Sequence, residues 1–311
     1  MKKFIKNNLT AYTITASDNI TQAVFIPEKG AVCASIIMPT KDNKKEILFA
    51  HDHLWNKNSK EFPGAWPICF PICARIGLNE KENFYRYENK IYEMHIHGFA
   101  YQTVWELADI KEDEITMKLN STAETLQQYP FEFEAALTYK IKPGKLWCRF
   151  VCKNLGEKLM PYSFGFHPYF LTPPVHHGKD GVILNFRAIK HYTYNESMTD
   201  IIGEAALLKM PSRITNPDIR EQLSLLSNDK KITLQFSDDD LTMTGDENFH
   251  YAQIYHDWNE PFICVEPWTA YPNAINHIEK PAVDNMPGMQ LLKPNEEKMC
   301  ELVLEVFDKE D

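Results

Sequence analysis

Apolar and polar residues alternate along most of this chain. Runs at 11–15, 22–26, 31–38, 102–107, 114–119, 131–141 and 146–153 are rich in β-branched and aromatic residues, and 232–236, 251–256, 262–265 and 301–307 continue the pattern. Successive side chains of a strand point to opposite faces, so each run predicts a strand with a buried face. Gly, Pro, Asn and Asp bound the runs. Lys142-Pro143-Gly144-Lys145 predicts a tight turn between two of them, because Pro presets φ and Gly accepts a positive φ. Long helical periodicity is absent, and residues 219–226 predict one short helix. Many short strands with few helices predict an all-β sandwich or barrel. No repeat, low-complexity tract or Gly/Ser linker interrupts the pattern, which predicts a single domain over residues 1–311.

Composition narrows the partners. The 311 residues are 44% hydrophobic and 24% charged, enough to bury a large core. Lys plus Arg total 33 against 43 Asp plus Glu, a net charge of −10, and the basic residues are scattered. That balance repels polyanions, so nucleic acid and anionic membranes are not expected partners, and an uncharged small molecule is. No stretch reaches the roughly 20 apolar residues of a membrane span. No apolar segment follows the basic start, which leaves a cytoplasmic location as the expectation. The seven cysteines are an odd number, and several lie in apolar runs, which predicts free thiols in a reducing compartment. The charged stretches 41–45 and 237–240 are expected to be solvated turns.

Four segments place titratable groups among apolar ones. Residues 62–77 form a Pro-rich apolar loop ending near Arg75, whose flanks favour an inward-held donor. In His95-Ile96-His97-Gly98, the two histidines share a face if the segment is a strand. Such a pair can ligate a metal, but the glutamate that a cupin-type site needs soon after is missing, so no metal is expected. His97 alone reads equally as a core histidine or a functional one. Gly98 tilts the balance to function, because a glycine lets a ligand approach the backbone. His167 is ringed by aromatics in Tyr162-Ser163-Phe164-Gly165-Phe166-His167-Pro168-Tyr169-Phe170, either as a core residue or as an acid or base. In residues 261–268, Phe262, Cys264 and Glu266 fall on one strand face. A carboxylate there is either ion-paired or a base with a raised pKa. Trp258 and Trp268 flank it, as core residues or as flat faces for a sugar.

Together these segments resemble the aldose 1-epimerases, the galactose mutarotase family, over nearly the whole chain. Met160-Pro161-Tyr162-Ser163-Phe164-Gly165-Phe166-His167-Pro168-Tyr169-Phe170 is similar to the family's histidine signature. Tyr129-Pro130-Phe131-Glu132-Phe133 precedes it, His97-Gly98-Phe99-Ala100 resembles the first histidine motif, and Glu266-Pro267-Trp268 resembles the C-terminal glutamate motif. The resemblance implies a large antiparallel β-sandwich, a supersandwich, with a sugar held in a cleft on one sheet and no cofactor. It implies an isomerase in which Glu266 is the general base on the anomeric hydroxyl and His167 the general acid on the ring oxygen. By the same resemblance His97 and Arg75 would bind the substrate, and Trp268 is the candidate flat face beside them.

Ala74 stands where the family often has Asn before the arginine. Pro63-Gly64-Ala65 stands where the phosphosugar branch carries Arg-Gly-Gly, which favours a free aldohexose. The family's substrate-binding aspartate has three candidates here, Asp200, Asp240 and Asp257. Two other readings are a hexose-6-phosphate mutarotase using Arg86 or Lys90, and a non-catalytic carbohydrate-binding protein on the same scaffold. The expected partner is a small sugar, and the expected state a monomer or homodimer.

Overall fold

The computed structural model describes residues 2–40, 44–174 and 178–308. Strands dominate it. One sheet has nine strands in the order Glu106–Ile110, Glu114–Asn120, Phe133–Lys142, Lys145–Asn154, Glu297–Asp308, Asp239–Gly245, Lys231–Gln235, Ile183–Phe186 and Ser212–Arg213. A second runs Ile201–Ala205, Ala188–Tyr194, Gln222–Leu226, Tyr251–Tyr255, Phe262–Trp268, Gly165–Phe166 and Ile68–Cys69, with Tyr169–Leu171 also pairing to Phe262–Trp268. A five-stranded N-terminal sheet, Lys2–Lys6 to Lys44–Glu46, and three two-stranded sheets make up the rest of the described β-structure. No helix of the described residues is long and apolar enough to cross a membrane.

Alternation set most of these strands. Phe133–Lys142 pairs with Lys145–Asn154 in register from Phe133 opposite Asn154 to Lys142 opposite Lys145. The Pro143-Gly144 turn closes the hairpin with Gly144 at φ +64°. The inward residues of this hairpin, including Leu137, Tyr139, Leu146 and Phe150, meet Phe166, Ile254, Ile263 and Val265 of the second sheet in one core cluster. All seven cysteines are buried free thiols.

Residues 219–226 are not a helix. Pro217–Ile219 is a short 3-10 turn, and Gln222–Leu226 is a central strand between Ala188–Tyr194 and Tyr251–Tyr255. Its two faces enter different clusters, Leu226 the main core and Leu223 a smaller one around Trp268. Ile219, Leu223 and Leu226 stand at i, i+4 and i+7, a spacing that mimics a helical face.

At 102–107, a 3-10 turn at Ala100–Gln102 precedes the strand, which starts only at Glu106. One six-residue helix, Ala123–Gln128, went unread. It is too short for periodicity and is held by reciprocal Thr122–Thr125 hydrogen bonds. The charged stretches are not merely solvated: the Lys45 ammonium pairs at 2.5 Å with the buried carboxylate of Asp239. Residues 41–43 lie outside the described residues.

Candidate active site

Strand register builds the centre of the site. Phe262–Trp268 is buried along its whole length. Ile263 and Val265 enter the main core from one face. From the other, Phe262 and Cys264 pack with Tyr169, while Glu266 and Trp268 line a cavity of about 330 Å³. Gly165 pairs with Trp268 and Tyr169 with Cys264. These two pairings share one register, so His167, in the break between the two short strands, sits across from Glu266. On the other side Gln253 pairs with Glu266. Residues opposite one another in an antiparallel pair share a face. His167, Glu266 and Gln253 therefore form one row on the cavity wall.

His97 reaches the same cavity by a different route. It is not on a strand with His95: the strand Lys90–Glu93 ends first, His95 is exposed, and His97 is buried in a turn at φ +61°. Its backbone N–H donates to the Ala74 carbonyl at 2.9 Å. Its Nδ1 accepts from the Ala74 N–H at 3.1 Å and from the Cys69 thiol at 3.1 Å. Gly98 makes room for protein, not ligand. It has φ +75°, and a Cβ there would lie 2.2 Å from the Phe70 carbonyl oxygen.

Arg75 lines the cavity but is not held inward. Its side chain is 48% exposed at the rim, 3.8 Å from Glu82. Trp268 forms part of the wall and meets the His97 ring edge-on at 5.9 Å, whereas Trp258 packs on His256.

The electrostatics are those of a dry site. His167 Nε2 stands 3.2 Å from Glu266 Oε2, and both side chains are almost fully buried. The contact is not aligned as a hydrogen bond. His167 Nδ1, Glu266 Oε2 and Trp268 Nε1 have no hydrogen-bond partner among the described residues. Burial, followed by the Cys73 thiol, raises Glu266 well above the ordinary carboxylate range, and the nearby Trp268 indole pulls weakly the other way. Burial, followed by His97, pushes His167 well below the ordinary imidazole value. His97 falls to about 3, through burial first and then Arg75. Burial thus disfavours charge on both members of the pair.

The ligand-capable atoms of His97, His167 and Glu266 lie within 4.8 Å of one another, a set whose composition would suit a transition metal. The Ala74 N–H argues against that use. His97 Nδ1 must keep its lone pair to accept this bond, so the ring proton sits on Nε2 and neither nitrogen of the neutral ring is left to coordinate. His97 is instead a fixed donor.

None of Asp200, Asp240 and Asp257 lines the cavity. Asp200 accepts from Asn273 Nδ2 at 2.7 Å and meets His277 Nε2 at 2.8 Å. The polar groups present instead are Glu221, Gln253 and Tyr194, whose hydroxyl donates to Gln253 Oε1 at 2.7 Å. Sequence reasoning missed these three. Gln253 left one signal, an amide between Tyr251 and Tyr255 on one face of a buried strand. Four lining residues, Ala74, His97, Met198 and Glu221, hold left-handed φ between +52° and +61°. Such strain concentrates at functional sites.

The model of the aldose 1-epimerase family matches residues 12–304, and the chain belongs to that family. Protein LacX of Lactococcus lactis subsp. lactis is 26% identical over 244 residues, covering 72% of this chain and 80% of that protein. Among solved structures, a galactose mutarotase-like protein from Lactobacillus casei superposes with TM-score 0.76 at 25% identity, over 96% of this chain and all of that one. A galactose mutarotase-related enzyme from Lactobacillus acidophilus gives TM-score 0.77 at 22% identity, over 97% and 98% of the two chains. The fold is thus the mutarotase-like β-sandwich, and the family role is that of a sugar epimerase.

Proposed function

We propose that this chain is an aldose 1-epimerase that interconverts the α and β anomers of a free aldohexose by acid–base ring opening, as one domain and without a cofactor. The observation that carries this reading is the buried His167–Glu266 pair, with unpartnered polar atoms on both residues, in the wall of a sugar-sized cavity. Buried polar atoms are costly to leave unpaired, and the hydroxyls of a bound sugar would satisfy them.

The pair holds one proton in either of two arrangements. With the proton on His167, Glu266 is a carboxylate able to take the proton of the anomeric hydroxyl while His167 gives its own to the ring oxygen. The C1–O5 bond breaks, and the result is the free aldehyde, a protonated Glu266 and a neutral His167. This arrangement carries no net charge on either side chain, which is what their burial favours. Rotation about C1–C2 and reclosure with the roles reversed give the other anomer. His97 Nε2–H would donate to the ring-oxygen region, Arg75 to hydroxyls at the rim, and Trp268 would offer an apolar face. A module that only binds sugar has no need of a buried acid beside a buried base, which weighs against the non-catalytic reading.

Charge supports an uncharged substrate. Arg75 is the one Lys or Arg among the lining residues, and Glu221 shares the cavity with it. Arg86 and Lys90 are exposed on the hairpin Phe84–Tyr87/Lys90–Glu93 and do not line it. A dianionic phosphate would lack the bidentate clamp it needs. Polarimetry of freshly dissolved α-anomers tests this: accelerated decay for free glucose or galactose, with a lower kcat/KM for the 6-phosphates, is expected. A higher kcat/KM for a 6-phosphate, falling with salt, would overturn the substrate reading.

A further inference from the structure

Phe62 lines the cavity and packs against both of its histidines. Its ring centroid lies 4.7 Å from that of His167 and 5.3 Å from that of His97, two imidazoles that are themselves 4.9 Å apart. It also packs on Tyr101 at 4.7 Å and Tyr169 at 6.2 Å. An aromatic ring on a largely exposed loop would not keep such a position unaided.

The loop is tied down at four carbonyls by side chains that play no part in the chemistry. The buried Lys29 ammonium donates to Asn56 O at 2.9 Å and also to Ser59 O. Gln102 Nε2 donates to Lys60 O at 2.9 Å, and His53 Nε2 to the carbonyl of Phe62 itself at 2.8 Å. Burying an ammonium is costly unless its donors are satisfied. Here that cost goes into holding the Phe62 loop.

We propose that Phe62 is the residue that keeps water off the His167–Glu266 pair and offers the apolar surface on which the C–H face of a pyranose rests, with Lys29, Gln102 and His53 as its positioning residues. The activity part of this inference rests on the epimerase reading above; the shielding part does not. An acid–base pair works as a preorganised dipole only while bulk water is excluded, and the Phe62 ring packs against the His167 imidazole and its neighbour His97.

The test compares wild type with Phe62→Ala, Phe62→Leu and Phe62→Tyr, reading His167 by imidazole NMR titration and anomer exchange by polarimetry. Phe62→Ala is expected to move the His167 titration up by about one pH unit, towards that of a hydrated imidazole. It should also lower kcat about tenfold. Phe62→Tyr restores both. Lys29→Met shifts both in the direction of Phe62→Ala by a smaller amount. If Phe62→Ala fails to fold, Phe62→Leu, which keeps most of the bulk, carries the test with a smaller shift in the same direction. A folded Phe62→Ala or Phe62→Leu protein with the wild-type titration and kcat overturns the proposal. Wild type inactive on every free aldose would sink the epimerase reading instead, and the titration would still decide the shielding.

Discussion

Gly165 packs directly against the Trp268 indole, and enlarging it gives a worked test of the role of Trp268. A Cβ at position 165 would lie 2.3 Å from Trp268 Cδ1, 3.1 Å from its Nε1 and 3.0 Å from Cys73 Sγ. Carbon atoms rest at about 3.5–4.0 Å. The indole must therefore retreat by about 1 Å, and it is 2% exposed with His97 beside it. Overpacking of this kind costs about 1–3 kcal/mol of stability. Displacing a substrate-positioning group by about 1 Å can cost up to 10²-fold in rate. Gly165→Ala should thus show a lower urea midpoint and a fall in kcat/KM. Trp268→Phe, which frees the space, should make the added methyl far less costly, so that the double variant is more stable than the two single effects predict. A Gly165→Ala protein with wild-type stability and wild-type kcat/KM would refute the packing and the placement of Trp268 together.

Other outcomes follow from the same geometry. His167 and His97 are held neutral below the ordinary histidine value of 6.5, and Glu266 is held protonated above the ordinary 4.5. Adding a second proton to the pair requires the depressed His167 to charge, so kcat/KM should stay flat through pH 6.5 and fall only at lower pH, and an acid limb centred at or above 6.5 would contradict this. Because His97 Nδ1 accepts the Ala74 N–H, chelators should leave the rate unchanged and zinc should not bind stoichiometrically; one tightly bound equivalent with chelator-sensitive turnover would contradict it. Arg86→Ala should leave kcat/KM for a free hexose within about twofold of wild type, since surface changes away from a site have small effects, and a large loss would place Arg86 in substrate contact.

Parts of this account were legible in the sequence for identifiable reasons. Phe133–Lys142 and Lys145–Asn154 alternate because one face meets the core and the other does not, and the Pro143-Gly144 turn is local chemistry. Glu266 stood out because a carboxylate on an apolar strand face needs an explanation, and its burial beside His167, with no Lys or Arg partner among the described residues, supplied it. What failed depended on long-range structure. Gln222–Leu226 carries leucines on both faces, and with Ile219 two of them fall at helical spacing. His97 lies in a left-handed turn that no strand pattern encodes, and Gly98 serves the close approach of the Phe70 backbone. The placement of His167 opposite Glu266 comes from the register of two strand pairings about a hundred residues apart in sequence. Phe62 drew notice only as part of a Pro-rich loop, because its importance arises from clamps at Lys29 and Gln102 that sequence proximity does not reveal.

The central claim is that the buried His167–Glu266 pair opens the sugar ring, and magnetisation exchange between the α and β anomeric proton signals measures that step directly. Wild type should exchange them fast at millimolar glucose or galactose. Folded Glu266→Gln, which keeps the shape but cannot take the anomeric proton, should lose about 10²–10⁴-fold of that exchange rate. Exchange in Glu266→Gln equal to wild type would contradict the account, because ring opening would then proceed without the carboxylate on which it depends.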